Sequence, residues 1–123
     1  MMKKNIAELS LFKQFLPLQV FIQKYRQGKK AIIPAQEIST LAAIVYRCCR
    51  IQINFNHNNP LSLMETLTLA ISIAVRSYED QVKILGISRE TLRTYEKRVK
   101  AKLCVQSKLQ AIANAVSRGI IRV

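Results

Sequence analysis

The chain is poor in the residues that form turns. Among its 123 residues there are three glycines, three prolines and no tryptophan. Glycine and proline most often interrupt helices and shape tight turns, so their scarcity favours a helical protein over a turn-rich β protein. Half of the residues are hydrophobic, which excludes a disordered chain and is enough for the core of one domain.

The residues that enzymes and metal sites require are also scarce. The single histidine, His57, lies in the asparagine-rich stretch 54–60 with no Cys, Asp or second His at ligand spacing, so we expect a solvated loop residue. Cys48 and Cys49 are adjacent and Cys104 stands alone, which is not a disulfide framework, and we expect all three to be buried. No paired carboxylates, Cys/His arrangement or phosphate-binding glycine loop is present. We therefore expect neither an enzyme nor a bound metal or cofactor.

Long hydrophobic runs are absent as well. The longest mostly apolar stretch, residues 67–75, is too short to cross a bilayer. At the start of the chain, Glu8 and Lys13 interrupt any signal-peptide core. We expect a cytoplasmic protein with no membrane partner.

Acidic residues are few, and the excess of positive charge is large. Seven acidic residues face 20 basic ones, a formal net charge of +13. Residues 1–60 contain nine Lys/Arg and two acidic residues, and residues 61–123 contain eleven Lys/Arg and five acidic residues. The positive charge is therefore spread over the chain and is not confined to a basic tail. A field of this sign attracts polyanions, which are chiefly nucleic acid or an anionic membrane face.

The first sixty residues show three apolar patterns at helical spacing. The first pattern, residues 6–16, is followed by Pro17, which we expect to end or bend a helix. The second, residues 18–25, is followed by Gly28 in the position of a C-cap. The third begins at Ala35 and continues to Cys49.

Two shorter stretches allow two interpretations each. Residues 51–55, "IQINF", alternate with a period of two, so a short strand is possible, although a frayed helix end is favoured. Lys29 and Lys30 either lie solvated in a loop, which we favour, or contact phosphates. "NFNHNNP", residues 54–60, is a turn-forming stretch and marks a segment boundary.

Beyond that boundary the pattern predicts four short helices. The first spans about 62–75, and Ser77, Ser88 and Ser107 can each act as the N-cap of one that follows. The second ends near Leu85, the third near 103, and the fourth before Gly119. We therefore predict an all-α protein, with a helical N-terminal segment over residues 1–56 and a helix-turn-helix domain over residues 61–123.

The third of these helices, over about residues 89–103, divides into two faces. Leu92, Val99 and Leu103, joined by Tyr95, stack on one side. A row of cations follows steps of four, four and three on a neighbouring face: Arg89, Arg93, Lys97 and Lys100. Such a helix can pack on one face and present cations to base edges and phosphates of DNA on the other. With the helix and glycine turn before it, the stretch reads as a helix-turn-helix.

Four stretches of the second half follow a known pattern: "LSLMETLTLAI" (61–71), "ILGISRETLRTYEKRVKAKL" (84–103), "VQSK" (105–108) and "AIANAVSRGII" (111–121). Together they resemble, without a gap, the LuxR/NarL-type (GerE-like) helix-turn-helix of bacterial transcription regulators. Several positions depart from that family, among them Val82, where a small residue is common. Met64 occupies a position where the family usually has Arg, Val75 one where it usually has Gly, and Gln81 one where it usually has an apolar residue.

The resemblance implies a role for each matched position. It implies base-edge contacts from Arg93, Thr94 and Lys97. It implies phosphate contacts from the positions of Ser77, Ser88, Thr91, Lys102 and Ser107, to which Lys108, Tyr95 and the basic row (Arg89, Lys100) are plausible additions. For Ser88 and Thr91 the alternative is capping and turn hydrogen bonding. The ring of Tyr95, which replaces a usual His, can instead pack, and Lys102 can be a solvated lysine.

The function implied is a bacterial, sequence-specific regulator of transcription that binds double-stranded DNA with residues 89–103 in the major groove. Residues 1–56 contain no Asp, which excludes a phosphoaspartate switch there. That segment can pack on the second half, on a second copy or on a partner, and a homodimer is favoured because two-fold DNA sites match two-fold proteins. The alternative is an adaptor with little DNA affinity of its own, which modulates another regulator or RNA polymerase.

Overall fold

The computed structural model of the chain describes residues 6–27, 35–55 and 58–123. The expectations for Gly28, Lys29, Lys30 and His57 lie outside these residues. The described part is mostly helical, as expected for an all-α protein, and its elements follow in this order: α1 (Ile6–Gln27), α2 (Ala35–Cys49), β1 (Gln52–Ile53), α3 (Leu63–Ala74), α4 (Tyr78–Leu85), α5 (Arg89–Lys102), α6 (Lys108–Ser117) and β2 (Ile121–Arg122).

The first helix is longer than expected. The sequence predicted that Pro17 would end or bend a helix and that two helices would share residues 6–25, but α1 does not end at Pro17 and continues to Gln27. Proline within a helix removes one backbone hydrogen bond. Burial of Phe15, Leu18 and Ile22, at steps of three and four, supports the helix on both sides of the proline. Leu16, expected in the apolar stripe, is 54% exposed.

A two-stranded antiparallel sheet joins the two halves of the chain. Gln52 pairs with Arg122 and Ile53 with Ile121. The preference for a frayed helix over residues 51–55 was therefore wrong. The period-two alternation of "IQINF" reflects a strand, because Ile53 is buried against Ile121 while Gln52 faces solvent. Its partner strand lies about seventy residues later, where no local pattern points to it.

The helices of the second half begin and end as predicted. Ser62 caps α3 with a full capping box, and Ser77, Ser88 and Ser107 cap α4, α5 and α6. Each serine hydroxyl accepts a hydrogen bond from a backbone N–H of the first turn, which would otherwise lack a helical partner. Gly119, beyond the end of α6, has a φ of +74°.

Both halves of the chain contribute to one hydrophobic core. Buried residues of α1 and α2 belong to the same cluster as those of α3 to α6 and both strands. The helix α1 packs on α2 and α4, and α2 packs on α3. Polar contacts reinforce this packing: the Gln14 amide donates to the Cys48 carbonyl at 2.5 Å, and the Gln19 amide donates to the Lys83 carbonyl at 3.3 Å. The helices α1 and α2 thus pack on the second half of the chain.

The three cysteines differ in exposure. Cys48 is buried, Cys49 half-buried and Cys104 exposed, so the expectation of burial was wrong for Cys104. Burial raises the pKa of the Cys48 thiol, and burial together with the neighbouring Cys48 raises the pKa of Cys49 to about 12. Both thiols are therefore protonated at neutral pH. No helix in the described ranges has the length and apolar character needed to cross a membrane.

Packing of α1 into the shared core predicts that single substitutions there destabilise the whole chain. Leu18 is fully buried, so Leu18→Ala should lower the free energy of unfolding by about 2–5 kcal/mol. The matched change Leu16→Ala, at a half-exposed site of the same helix, should cost about 1 kcal/mol or less. Urea denaturation followed by circular dichroism measures both. Equal effects of the two changes would contradict the packing of α1.

Candidate nucleic-acid interface

The turn between α4 and α5 depends on one glycine. Gly86 ends α4 with a φ of +66°, in the left-handed region, and its N–H donates to the Val82 carbonyl at 2.9 Å. A β-carbon at Gly86 would meet nothing within 4 Å. Glycine is therefore favoured by the backbone conformation and not by lack of space. Two residues later Ser88 starts α5, so the turn sets the direction in which α5 leaves α4.

The helix α5 has one buried and one exposed face. Leu92 and Val99 are buried, and α5 packs mainly on α3. The three residues implied in base contacts, Arg93, Thr94 and Lys97, are all exposed. The separation of faces expected from the sequence is therefore present, with the cations on the outside.

Two of the three base-contact candidates have polar groups nearby. The Tyr78 hydroxyl donates to a Glu96 carboxylate oxygen at 3.0 Å. Burial and Glu96 raise the pKa of Tyr78, and the nearby Arg93 guanidinium opposes part of that rise. Arg93 therefore lies beside the start of α4. The Thr94 hydroxyl donates to the Glu90 carbonyl at 3.0 Å, which leaves its oxygen lone pairs available as acceptors.

The serines implied in phosphate contacts lie at the starts of helices. Ser77, Ser88 and Ser107 are exposed, and each accepts a backbone N–H bond as a cap. The Ser88 hydroxyl also donates to the Thr91 hydroxyl at 2.9 Å. Ser88 and Thr91 thus make the capping and turn hydrogen bonds that were the alternative to phosphate contact. The same geometry places three helix N-termini, which attract anions, at exposed positions.

The remaining phosphate candidates have internal partners or partial burial. Arg89 forms an ion pair with Glu79, and the Lys108 ammonium donates to the Ser72 carbonyl at 3.3 Å. Lys100 and Tyr95 are half-buried, and Tyr95 packs against the core. These side chains have structural roles in addition to the phosphate contacts that the resemblance implies for their positions.

A buried carboxylate and Lys102 join α3 to α5. Glu65 is 2% exposed, and its carboxylate accepts the Ser62 backbone N–H at 2.9 Å and the Lys102 ammonium at 2.7 Å. Glu65 belongs to the stretch 61–71, for which the resemblance implies no DNA contact. The spacing of Ser62 and Glu65 was a readable capping-box signal, whereas the pairing with Lys102, 37 residues away, was not.

Two of the departures from the family pattern meet in space. Gln81 is buried, and its amide donates to the Val75 carbonyl at 2.8 Å. Val75 ends α3 in an extended conformation with a φ of −125°, which any residue can adopt. The glutamine therefore supplies a hydrogen bond at the α3–α4 junction that an apolar residue could not make. Met64, another departure, is buried in the core.

The chain matches no known family profile, no curated protein and no solved structure. In the ranges that the structure describes, no group of three or more His, Cys, Asp or Glu is arranged to hold a metal ion.

The pair between Lys102 and Glu65 predicts strong coupling in a double-mutant cycle. Lys102→Met leaves a buried carboxylate without its cation and should lower the free energy of unfolding by about 1–3 kcal/mol. Adding Glu65→Gln should recover part of that loss, because the remaining amide is neutral. Urea denaturation measures each corner of the cycle. Lys97→Met, at an exposed site of the same helix, is the matched control, and additive effects of Lys102→Met and Glu65→Gln would contradict the coupling.

Proposed function

We propose that the chain is a sequence-specific DNA-binding regulator of transcription whose helices α3 to α6 form a LuxR/NarL-type unit. The observation that carries this proposal is the two-faced α5, which follows a left-handed glycine turn. Its buried face, with Leu92 and Val99, holds it on α3, while Arg93, Thr94 and Lys97 are exposed. An adaptor that does not bind DNA would have no need for these cations on the outer face.

The proposed reading mechanism follows from the donors that α5 presents. Arginine and lysine donate hydrogen bonds to O6 and N7 of guanine in the major groove, which are the roles proposed for Arg93 and Lys97. Thr94 offers a hydroxyl and a methyl group to a neighbouring base edge. Backbone N–H groups at the starts of α4, α5 and α6 bind phosphates and fix the register of α5 on the duplex.

We also propose that two copies bind a two-fold DNA site. Phe15, Leu18 and Ile22 of α1 and Leu41, Val45 and Cys48 of α2 are buried in the core, and we take α6 as the candidate for the dimer contact. Leu109 is 79% and Val116 46% exposed, and they lie seven residues apart with the half-buried Ile112 between them. This spacing places them on one face of α6, as expected for a helix that pairs with its own copy.

Selection from a random DNA pool tests the reading mechanism. The wild-type chain should enrich a palindromic motif, and Arg93→Ala/Lys97→Ala should lose it while keeping salt-sensitive, non-specific binding. Each lost bidentate base contact should reduce discrimination against the wrong base by about 1–3 kcal/mol. Affinities for the motif and for a scrambled duplex, measured over a salt series, give this number.

The matched control is Lys13→Ala/Lys24→Ala, which removes the same charge from exposed sites of α1. It should retain the motif. Binding with no enriched motif, equal in the wild type and the α5 variant, would show that the charge acts non-specifically, and the adaptor function would then be preferred.

Polar substitution on α6 tests the dimer. Leu109→Gln/Val116→Gln should weaken self-association about tenfold or more, because two apolar side chains per copy lose their burial. Sedimentation velocity over a concentration series measures this. Leu16→Gln/Val20→Gln, at exposed apolar sites of α1, is the matched control. A dimer weakened by the α1 change alone would place the contact on α1 instead.

A further inference from the structure

A second cationic surface lies away from α5, at the junction of α2 and the small sheet. Tyr46 and Arg47 belong to the last turn of α2, and Arg50 follows directly, with a φ of +58°. All three are exposed. The Arg50 guanidinium lies 5.9 Å from the centre of the Tyr46 ring, which is within the range of a cation–π contact.

The strand pairing adds a third arginine to this surface. Gln52, two residues after Arg50, pairs with Arg122 across the sheet, and both are exposed. Side chains of directly paired residues lie on the same face of a sheet, about 5 Å apart at the β-carbon. Residues from two distant parts of the sequence thus meet here. We call Tyr46, Arg47, Arg50 and Arg122 the arginine surface.

The stretches of sequence that supply this surface contain no acidic residue. Residues 38–64 and 97–123, which supply nearly all of α2, both strands and all of α6, contain no Asp or Glu. The acid on α2, Glu37, lies ten residues before Arg47, or about 15 Å along the helix axis. On α5, by contrast, Arg89 is paired with Glu79, and Glu96 lies near Arg93.

The arginine surface is separate from the face that α5 presents. The helix α3 packs against both α2 and α5, which do not pack closely on each other. Contacts made by Arg47 or Arg122 are therefore additional to those proposed for Arg93 and Lys97. The chain has two cationic regions supported by different elements.

We propose that the arginine surface binds the phosphate backbone of duplex DNA, so that the protein holds a second duplex segment beside the one read by α5. Arginine forms paired, planar hydrogen bonds with phosphate oxygens, and the exposed Tyr46 hydroxyl adds a donor of the kind that contacts phosphates. The surface offers no row of side chains on a helix that could enter the major groove, so its binding is independent of sequence. The inference rests on the proposed function only in taking DNA as the polyanion.

A capture experiment tests this surface. One duplex is fixed to beads, and a second, fluorescent duplex of different sequence is added with the protein. The wild type should retain the second duplex, and Arg47→Gln/Arg122→Gln should lose that retention. In a separate salt series on non-specific duplex, the slope of log affinity against log salt should fall by about 1.8 for two lost phosphate contacts.

The control is Lys13→Gln/Lys24→Gln, which removes the same charge from exposed sites of α1. The urea midpoints of both variants confirm that they fold. Loss of capture in the arginine variant with retention in the control supports the proposal. Three results would overturn it: no capture of a second duplex by the wild type, equal loss of capture in both variants, or full capture by the arginine variant. The last result is the one expected of a dimer that bridges two duplexes with its two α5 helices. Motif selection by α5 is measured separately, so failure there leaves this test intact.

Discussion

Burial of α3 on all sides is the constraint on which the rest of the structure depends. Every residue from Met64 to Ser72 is buried, and α2, α4 and α5 all pack on this helix. A helix without a solvent face must satisfy its polar side chains internally. Thr66 donates to the Ser62 carbonyl and Ser72 to the Leu69 carbonyl. The Thr68 hydroxyl is buried and has no hydrogen-bond partner among the described residues.

The use of the few acidic residues follows from this arrangement. The buried Glu65 carboxylate accepts from the Ser62 N–H at the start of α3 and from the Lys102 ammonium. The Glu96 carboxylate accepts from the Tyr78 hydroxyl. Glu79 pairs with Arg89 at the junction of α4 and α5. Because these carboxylates stabilise contacts between helices, they do not form an acidic surface that would oppose the cations. The strong positive field therefore coexists with a well-packed interior.

The helix α1 supports the turn between α4 and α5 directly. The Arg26 guanidinium donates to the Gly86 carbonyl at 2.5 Å, and the Gln19 amide to the Lys83 carbonyl. Both acceptors lie at the end of α4, where helix carbonyls lack partners within the helix. The turn that precedes α5 is therefore in direct contact with α1.

The sequence alone determined the features that depend on neighbours along the chain. Serine caps, the Gly86 turn, the bounds of α3 to α6 and the two faces of α5 are local, because hydrogen bonds and periodicity within a few residues decide them. Tertiary structure decided what depends on distant partners. Burial of Phe15 and Leu18 supports the continuation of α1 beyond Pro17. Within "IQINF", Ile53 forms a strand because it pairs with Ile121. Tertiary structure also joined Glu65 to Lys102 and brought Arg122 beside Gln52. No spacing in the sequence encodes such pairs, since contact between residues far apart is fixed only when the whole core packs.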